Sequence, residues 1–476
     1  MGGRMTQQLS TRPDSGLDRI FRMSERGSTL SRELRGGLTT FVAMAYIVML
    51  NPLILGSGTD ATGAKLSPEQ LTTATAATAG VMTIVMGLVG NAPLALATGL
   101  GVNAVVAFTI APTMTWAEAF GLVVLEGVVI VALAVSGVRE KIMNAIPEPL
   151  KIALTVGIGL YIALIGLVSA GFVTRVPDAQ ETTVPVQMGT DGHLSGIPIV
   201  VFCVTLLVMM GLMARRTPGA ILLGIVAGTV MALVANAALD VAPDEWGTVV
   251  PELPAQLVGT PDFGLFGQVD LFGGFAAAGG VAATVFLFTL VLSGFFDAMG
   301  TITSVSSQAG LVQDGKVQGM GRILAVDGVA AAAGGLTGAA PNTVFLESAA
   351  GVAEGARTGL ASVFTGLLFC LTLLVTPLAS VVPAQAAAPA LVIVGGLMMS
   401  QVRLIPWDDP DYVIPAFLTL AVIPFTYMIT NGIGAGLIAF AVIKLARGKV
   451  REIGWLVGSL AIVFAVYFLV SGLTGV

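Results

Sequence analysis

Apolar runs of roughly 18 to 20 residues follow one another from Leu38 to Val470, and no other feature restricts the fold of this chain as much. About 20 helical residues cross a hydrocarbon layer about 30 Å thick. Inside that layer the backbone must satisfy its own polar groups, which a helix does within a single segment. Charge content agrees: 11% of the 476 residues are Asp, Glu, Lys or Arg, against about 25% in a soluble domain. The chain reads as an all-α polytopic membrane protein.

Several function classes drop out on residue types. Cys203 and Cys370 lie inside apolar runs and read as small core residues rather than a disulfide or metal pair. The single histidine, His193, lies in a polar, Gly-containing stretch and reads as a loop residue. Zinc sites and Ser-His or Cys-His catalysis therefore lack their main ingredient, and neither a metal nor a cofactor is expected. Residues 1–35 are polar and basic without a short apolar core, so no signal peptide is expected there. A net charge of −6 spread over loops gives no reason to expect a nucleic-acid partner; the expected surroundings are membrane lipids.

Spans are predicted near 36–54, 71–90, 93–112, 117–137, 146–171, 197–214, 218–237, 274–307, 321–338, 341–355, 358–380, 389–402, 411–430 and 432–446. A further apolar run at 453–473 is long enough for an extra C-terminal helix. The basic residues test this count. Arg19, Arg22, Arg26, Arg32 and Arg35 precede the first span, and Arg139 and Lys141 follow the fourth. Arg215 and Arg216 follow the sixth, Lys316 and Arg322 the eighth, Arg357 the tenth and Arg403 the twelfth. Lys444, Arg447, Lys449 and Arg451 follow the fourteenth. Every cluster falls on one side, which the positive-inside rule makes cytoplasmic. The long segment carrying Asp240, Asp244, Glu245, Glu252, Asp262 and Asp270 falls on the other. The expectation is a bacterial-type inner (plasma) membrane with the N-terminus inside.

The third and tenth spans differ from the rest. One opens Asn91-Ala92-Pro93 and runs through Ala97-Thr98-Gly99-Leu100-Gly101-Val102-Asn103. The other opens Ala340-Pro341-Asn342 and runs through Thr343 to Phe345-Leu346-Glu347-Ser348-Ala349-Ala350-Gly351. Proline stops a continuing helix and glycine permits close backbone approach, so each is expected to join an extended stretch to a half-helix. Unpaired backbone at that depth is tolerated only where it lines a cavity or is buried in protein. Broken segments at matching places in two halves point to a midplane binding site. Their separation of seven spans is odd, so the second half is expected to be an inverted copy of the first.

Ionisable groups inside spans are costly and mark function by default. Asp297 lies in the eighth span and Glu347 at the junction of the tenth, and these two are the ligand candidates. A carboxylate accepts two N–H donors side by side, while backbone N–H groups at a half-helix start serve carbonyl or ring-nitrogen acceptors. Together they suit a planar, uncharged heterocycle such as a nucleobase, and Asn103 adds an amide that both donates and accepts. Burial beside apolar walls favours the neutral acid, so Asp297 and Glu347 are also the candidates for loading and releasing a coupling proton, with a sodium ion as the alternative coupling ion. Asp327 in the ninth span reads as a support for the tenth, Glu126 in the fourth as a non-ligand, and Glu354 with Arg357 as a solvated pair.

At these residues the chain resembles the nucleobase–ascorbate transporter superfamily (nucleobase:cation symporter family 2), and within it the adenine/guanine/hypoxanthine permease branch. The resemblance runs from about Arg35 to Lys449. It is carried by Gly37-Leu38-Thr39-Thr40-Phe41-Val42-Ala43-Met44-Ala45-Tyr46-Ile47 with Asn51-Pro52, and by Gly99-Leu100-Gly101-Val102-Asn103-Ala104. Phe296-Asp297-Ala298-Met299-Gly300-Thr301, Glu347-Ser348-Ala349-Ala350-Gly351 and Ile405-Pro406-Trp407-Asp408-Asp409-Pro410 complete it. The resemblance implies fourteen spans as two inverted repeats of seven. It implies a core domain over 36–137 and 274–380 and a gate domain over 138–237 and 381–447. An N-terminal segment 1–35, a loop 238–273 and a C-terminal apolar segment 448–476 complete the plan. It implies proton symport of hypoxanthine, guanine or adenine, and homodimers through the gate domains. The implied substrate set is Asn103, Asp297, Thr301, Glu347 and Ser348, with Glu347 and Asp297 for the proton. Supporting places fall to Asp327, Thr40, Tyr46, Gly99, Gly101, Asn342 and Thr343. Two departures stand out: Ala97-Thr98-Gly99 replaces the usual Ala-Pro-Gly, and the 453–473 segment exceeds the fourteen-span plan.

Other readings stay open on the sequence. A pyrimidine, xanthine or anion carrier would share the architecture, although an anion site calls for positive charge and the charges expected here are negative. A channel would use the paired broken spans as a pore. An intramembrane hydrolase would need Asp297 and Glu347 to share one proton as a dyad; the reading preferred is a carrier and not an enzyme.

Overall fold

The computed structural model describes residues 16–136, 147–176, 185–247, 249–253, 256, 258–313 and 316–474, so Arg139 and Lys141 lie outside the described set. Among the described residues, ten helices are long and apolar enough to cross a membrane. In chain order they are Leu30–Ser57, Pro68–Gly90, Trp116–Ser136, Glu148–Ser169, Ile197–Ala214, Ala220–Leu239, Gly280–Gln308, Gly359–Leu378, Ala384–Leu404 and Ile429–Ala446. Shorter apolar helices cover Leu100–Thr113, Val413–Thr426 and Trp455–Leu469. The ninth predicted span is the Gly/Ala-rich helix Met320–Thr337. Numbering the segments by the predicted spans, the third and tenth contain the short strands Leu96–Thr98 and Asn342–Val344.

The first segment departs from the single helix predicted over 36–54. It is two helices, Leu30–Met44 and Ile47–Ser57, meeting at Ala45 and Tyr46. Pro52 offers no N–H to the carbonyl one turn earlier. Just before it the ladder tightens, with Val48 N–H donating to Ala45 O and Met49 N–H to Tyr46 O, each three residues back.

Each half-helix follows its strand directly: Leu100–Val105 after Leu96–Thr98, and Ser348–Ala353 after Asn342–Val344. The strands pair antiparallel with Leu96 opposite Val344, Ala97 opposite Thr343 and Thr98 opposite Asn342, all buried. Gly99 N–H to Pro341 O (3.0 Å) and Phe345 N–H to Ala95 O (2.9 Å) extend the ladder at its two ends. Backbone groups that a broken helix leaves open are thus satisfied by the other broken segment.

Helices cross where glycines let backbones approach. Gly127 of the fourth segment meets Gly328 and Ala332 of the ninth, Gly80 of the second meets Gly366 of the eleventh, and Gly159 of the fifth meets Gly395 of the twelfth. The first segment packs on the tenth and eleventh, and the eighth packs on the third and fourth. The sixth packs on the seventh and twelfth, and the thirteenth on the fourteenth and fifth. The C-terminal run is the helix Trp455–Thr474, packed on both the fourteenth and eighth segments. Phe464 rests on Phe288 with ring centroids 6.4 Å apart, and Gly434 leaves room for Phe464 and Phe468.

At the end of the fourteenth segment, buried Asp411 accepts from Lys444 (2.8 Å), Lys449 (2.7 Å) and Arg447. Hydrogen bonds from Lys444 and then Lys449 hold its carboxyl well below the usual carboxylate range. Glu354 is exposed at the end of the tenth segment, and no ion pair joins it to Arg357 among the described residues. Arg357 donates its guanidinium to the carbonyls of Val352 and Ala356 (both 2.6 Å), acceptors that the end of the half-helix leaves open.

Candidate functional site

The antiparallel strand crossing fixes where side chains of the third and tenth segments project, and the eighth segment packs against Asn342–Val344 and Ser348–Ala353. Asp297 sits on that face and is exposed, although Phe295, Ala298 and Met299 around it are buried. It lies within electrostatic reach of Glu347 and has no hydrogen-bond partner among the described residues. Glu347 is half-buried, between exposed Leu346 and buried Ser348, and accepts a hydrogen bond from the hydroxyl of Tyr46. Tyr46 is buried at the break of the first segment, so that break aims a donor at Glu347. Thr301 lies one turn beyond Asp297 and is buried.

The remaining predicted residues are tied into the frame, Ser348 through its oxygen alone. Ser348 Oγ accepts from Ala95 N–H at 3.0 Å. Asp327 Oδ1 accepts from Thr343 Oγ1 (3.0 Å) and Val344 N–H (3.1 Å), clamping the tenth-segment strand. Gly99 faces Thr343, whose Cγ2 lies 3.1 Å from where a Cβ would stand, and Gly101 faces Ile158 of the fifth segment at 2.6 Å. Thr40 is buried where the first segment crosses Gly351. Asn342 is buried, its Oδ1 accepting from Thr98 Oγ1 at 3.4 Å, and its Nδ2 has no partner among the described residues.

Two expectations need correction. Asn103 is fully buried and donates to Asn51 Oδ1 at 2.8 Å, so one of its two amide N–H groups is committed to the first segment; its own Oδ1 has no partner among the described residues. The start of the tenth-segment half-helix also offers fewer donors than predicted. The N–H groups of Ser348, Ala349 and Ala350 bond the carbonyls of Phe345, Leu346 and Glu347, because the turn into the helix is tight enough to close three-residue bonds.

Two residues were missed. Asn51 donates to Thr75 Oγ1 (2.8 Å) and Ala339 O (3.0 Å) while accepting from Asn103, linking three segments; its place beside Pro52 was the available signal. Thr83 of the second segment bonds both backbone groups of Leu96, accepting from its N–H (2.9 Å) and donating to its carbonyl (3.0 Å). One hydroxyl in a small-residue run carries no signal of that kind.

A bundle of membrane-crossing helices with two broken segments paired at its middle, and a pair of carboxyls beside the pairing, is the build of a multi-pass membrane transporter. Residues 31–435 match the Permease family. The guanine/hypoxanthine permease PbuG of Bacillus subtilis (strain 168) is 35% identical over 466 residues, 94% of this chain and 99% of that protein. The adenine permease AdeQ of Escherichia coli (strain K12) is 34% identical over 452 residues, 94% of this chain and 95% of that protein. This chain therefore belongs to that permease family, the nucleobase–ascorbate transporter family, and is a transporter rather than an enzyme. Among solved structures, the transmembrane domain of a cyanobacterial bicarbonate transporter, BicA, superposes with TM-score 0.58 at 17% identity, covering 89% of this chain and 97% of that one. Murine Slc26a9, an anion transporter in the inward-facing state, gives TM-score 0.60 at 14% identity, covering 94% and 74%. These two likenesses show the fold.

Proposed function

We propose that the chain imports purine nucleobases (hypoxanthine, guanine and adenine) by proton symport with alternating access. One observation carries the reading: Asp297 and Glu347 come within electrostatic reach beside the strand crossing, Asp297 exposed and Glu347 half-buried. Two carboxyls on one accessible face suit the N–H edge of a neutral heterocycle, and the names of the curated relatives favour a purine. The fold is shared with bicarbonate and anion carriers, but the acidic face argues against an anion here. Thr301, Ser348 and the free Oδ1 of Asn103 complete the proposed substrate set, with Glu347 and Asp297 taking the coupling proton.

The architecture proposed with it is fourteen spans in two inverted repeats of seven. The packing supports this, because most neighbour pairs recur on a shift of seven. The fourth with the ninth becomes the eleventh with the second, and the sixth with the seventh becomes the thirteenth with the fourteenth. Segments 1–4 and 8–11 form the core, 5–7 and 12–14 the gate, with the N-terminus cytoplasmic in a bacterial-type inner membrane and the gates pairing two copies.

Uptake of radiolabelled hypoxanthine, guanine, adenine, uracil and xanthine into cells lacking their own permeases, with and without a protonophore, tests the cargo and the coupling. Purine uptake abolished by the protonophore is expected; no purine uptake by a well-expressed protein overturns the reading. Glu347→Gln should insert and fold yet lose proton-driven accumulation. Full accumulation by that variant moves the coupling role elsewhere.

A further inference from the structure

Glu126 lies in the fourth segment, Trp116–Ser136, where it packs on the ninth. The residue is fully buried, and neither carboxyl oxygen has a hydrogen-bond partner among the described residues. Its recess is built on purpose from glycine. A Cβ on Gly294 of the eighth segment would stand 2.6 Å from Glu126 Oε1, so the absence of that carbon is what admits the carboxyl. Asp327 on the ninth segment is the titratable group that faces it. From the eighth segment Asp297 stands about one turn beyond Gly294 and within electrostatic reach of Asp327. Glu126 and Asp327 each stand one residue before the glycines, Gly127 and Gly328, at which the fourth and ninth segments cross, and Gly294 beside Glu126 is three residues from Asp297, so these carboxyls run from the interior of the helix packing toward the strand that Asp327 clamps.

An isolated carboxylate with neither a cation nor a donor costs too much to bury, and such a group is tolerated as the neutral acid. Glutamine would fill the same recess and could not change charge. Asp327 spends Oδ1 on Thr343 and Val344, which leaves Oδ2 open to a proton.

We propose that Glu126 is a proton-carrying residue of the transport machinery, exchanging its proton with Asp327 and so with Asp297 inside the packed core. In the step, the O–H bond of Glu126 breaks and an O–H bond forms on Asp327 Oδ2, with no electron transferred. The inference rests on the proton-symport reading above and adds two interior carboxyls, Asp327 and Glu126, to it.

The test compares full-length wild type with Glu126→Gln in proteoliposomes. Infrared difference spectra over a pH titration, taken without cargo, should show a protonated-carboxyl C=O band near neutral pH in wild type that the variant lacks; an undiminished band overturns the proposal. Hypoxanthine accumulation under an imposed pH gradient should then fall at least about tenfold further than hypoxanthine exchange does. Equal losses of both, or no loss of either, overturn it and leave Glu126 a packing residue. If wild type itself moves no purine, the purine reading fails, and the infrared band alone decides whether Glu126 carries the proton.

Discussion

Tyr46 and Glu347 stand far apart in the chain and meet because the first segment breaks where it does. A phenol that donates to a half-buried carboxylate favours the charged form, and a hydrogen bond to a charged group contributes about 1.5–3 kcal/mol. Tyr46→Phe keeps the ring in its buried place and removes only the donor. Proton-driven hypoxanthine uptake should fall about tenfold or more, the range that energy corresponds to, while the amount of inserted protein stays at the wild-type level. Initial uptake rates normalised to membrane-protein quantity measure it, and an unaltered rate would detach Tyr46 from coupling. Both partners stand in the sequence resemblance, but their meeting does not. Hydropathy records that Tyr46 is in a span, and only the Ala45–Tyr46 break decides which way the hydroxyl points.

At the scale of elements, each broken segment is held by the helix just before it. Thr83 of the second segment holds Leu96, Asp327 of the ninth holds Val344, and those two held residues face each other in the ladder. Pro93, Pro341 and the neighbouring glycines made the breaks legible, because ring geometry and backbone freedom act locally. The clamps were legible only where they were charged: Asp327 stood out in an apolar run, whereas Thr83 did not. The fourteenth segment shows the same asymmetry. Lys444 looked like an ordinary cytoplasmic flank, yet it is buried beside Asp411, ahead of the helix Val413–Thr426. Asp411 has its carboxyl held below the usual value of about 3.9. A group depressed on folding contributes stability that is complete above its unfolded value and lost as pH falls through the folded one. The thermal midpoint of Asp411→Asn should therefore lie several degrees below wild type across pH 5–8, with the gap closing below about pH 4. Midpoints of the detergent-purified proteins against pH measure this. A gap that grows as pH falls would reverse the assignment.

For the molecule as a whole, the question is what moves. The carboxyls, both strands and their clamps belong to one set of mutually packed segments, so the site can change sides without being taken apart if that set slides against the gate. Gly101 and Ile158 lie at the contact between the two. A Cβ on Gly101 would stand 3.9 Å from Ile158 Cβ, inside the range of about 3.5–4.5 Å that a disulfide spans. Gly228 and Ala386 make a comparison pair inside the proposed gate, with a Cβ on Gly228 3.2 Å from Ala386 Cβ, slightly short of that range. With Cys203 and Cys370 replaced, oxidation of the pair Gly101→Cys and Ile158→Cys should abolish hypoxanthine uptake, and reduction should restore it. The pair Gly228→Cys and Ala386→Cys, cross-linked to the same extent on a gel, should leave more than about half of its own reduced-state rate, because a bond within one rigid body constrains no relative motion. Full uptake by the cross-linked Gly101–Ile158 pair would mean that this contact stays closed throughout transport. The moving boundary would then lie elsewhere, and the C-terminal helix, which touches the eighth segment on one side and the fourteenth on the other, is where it would next be sought.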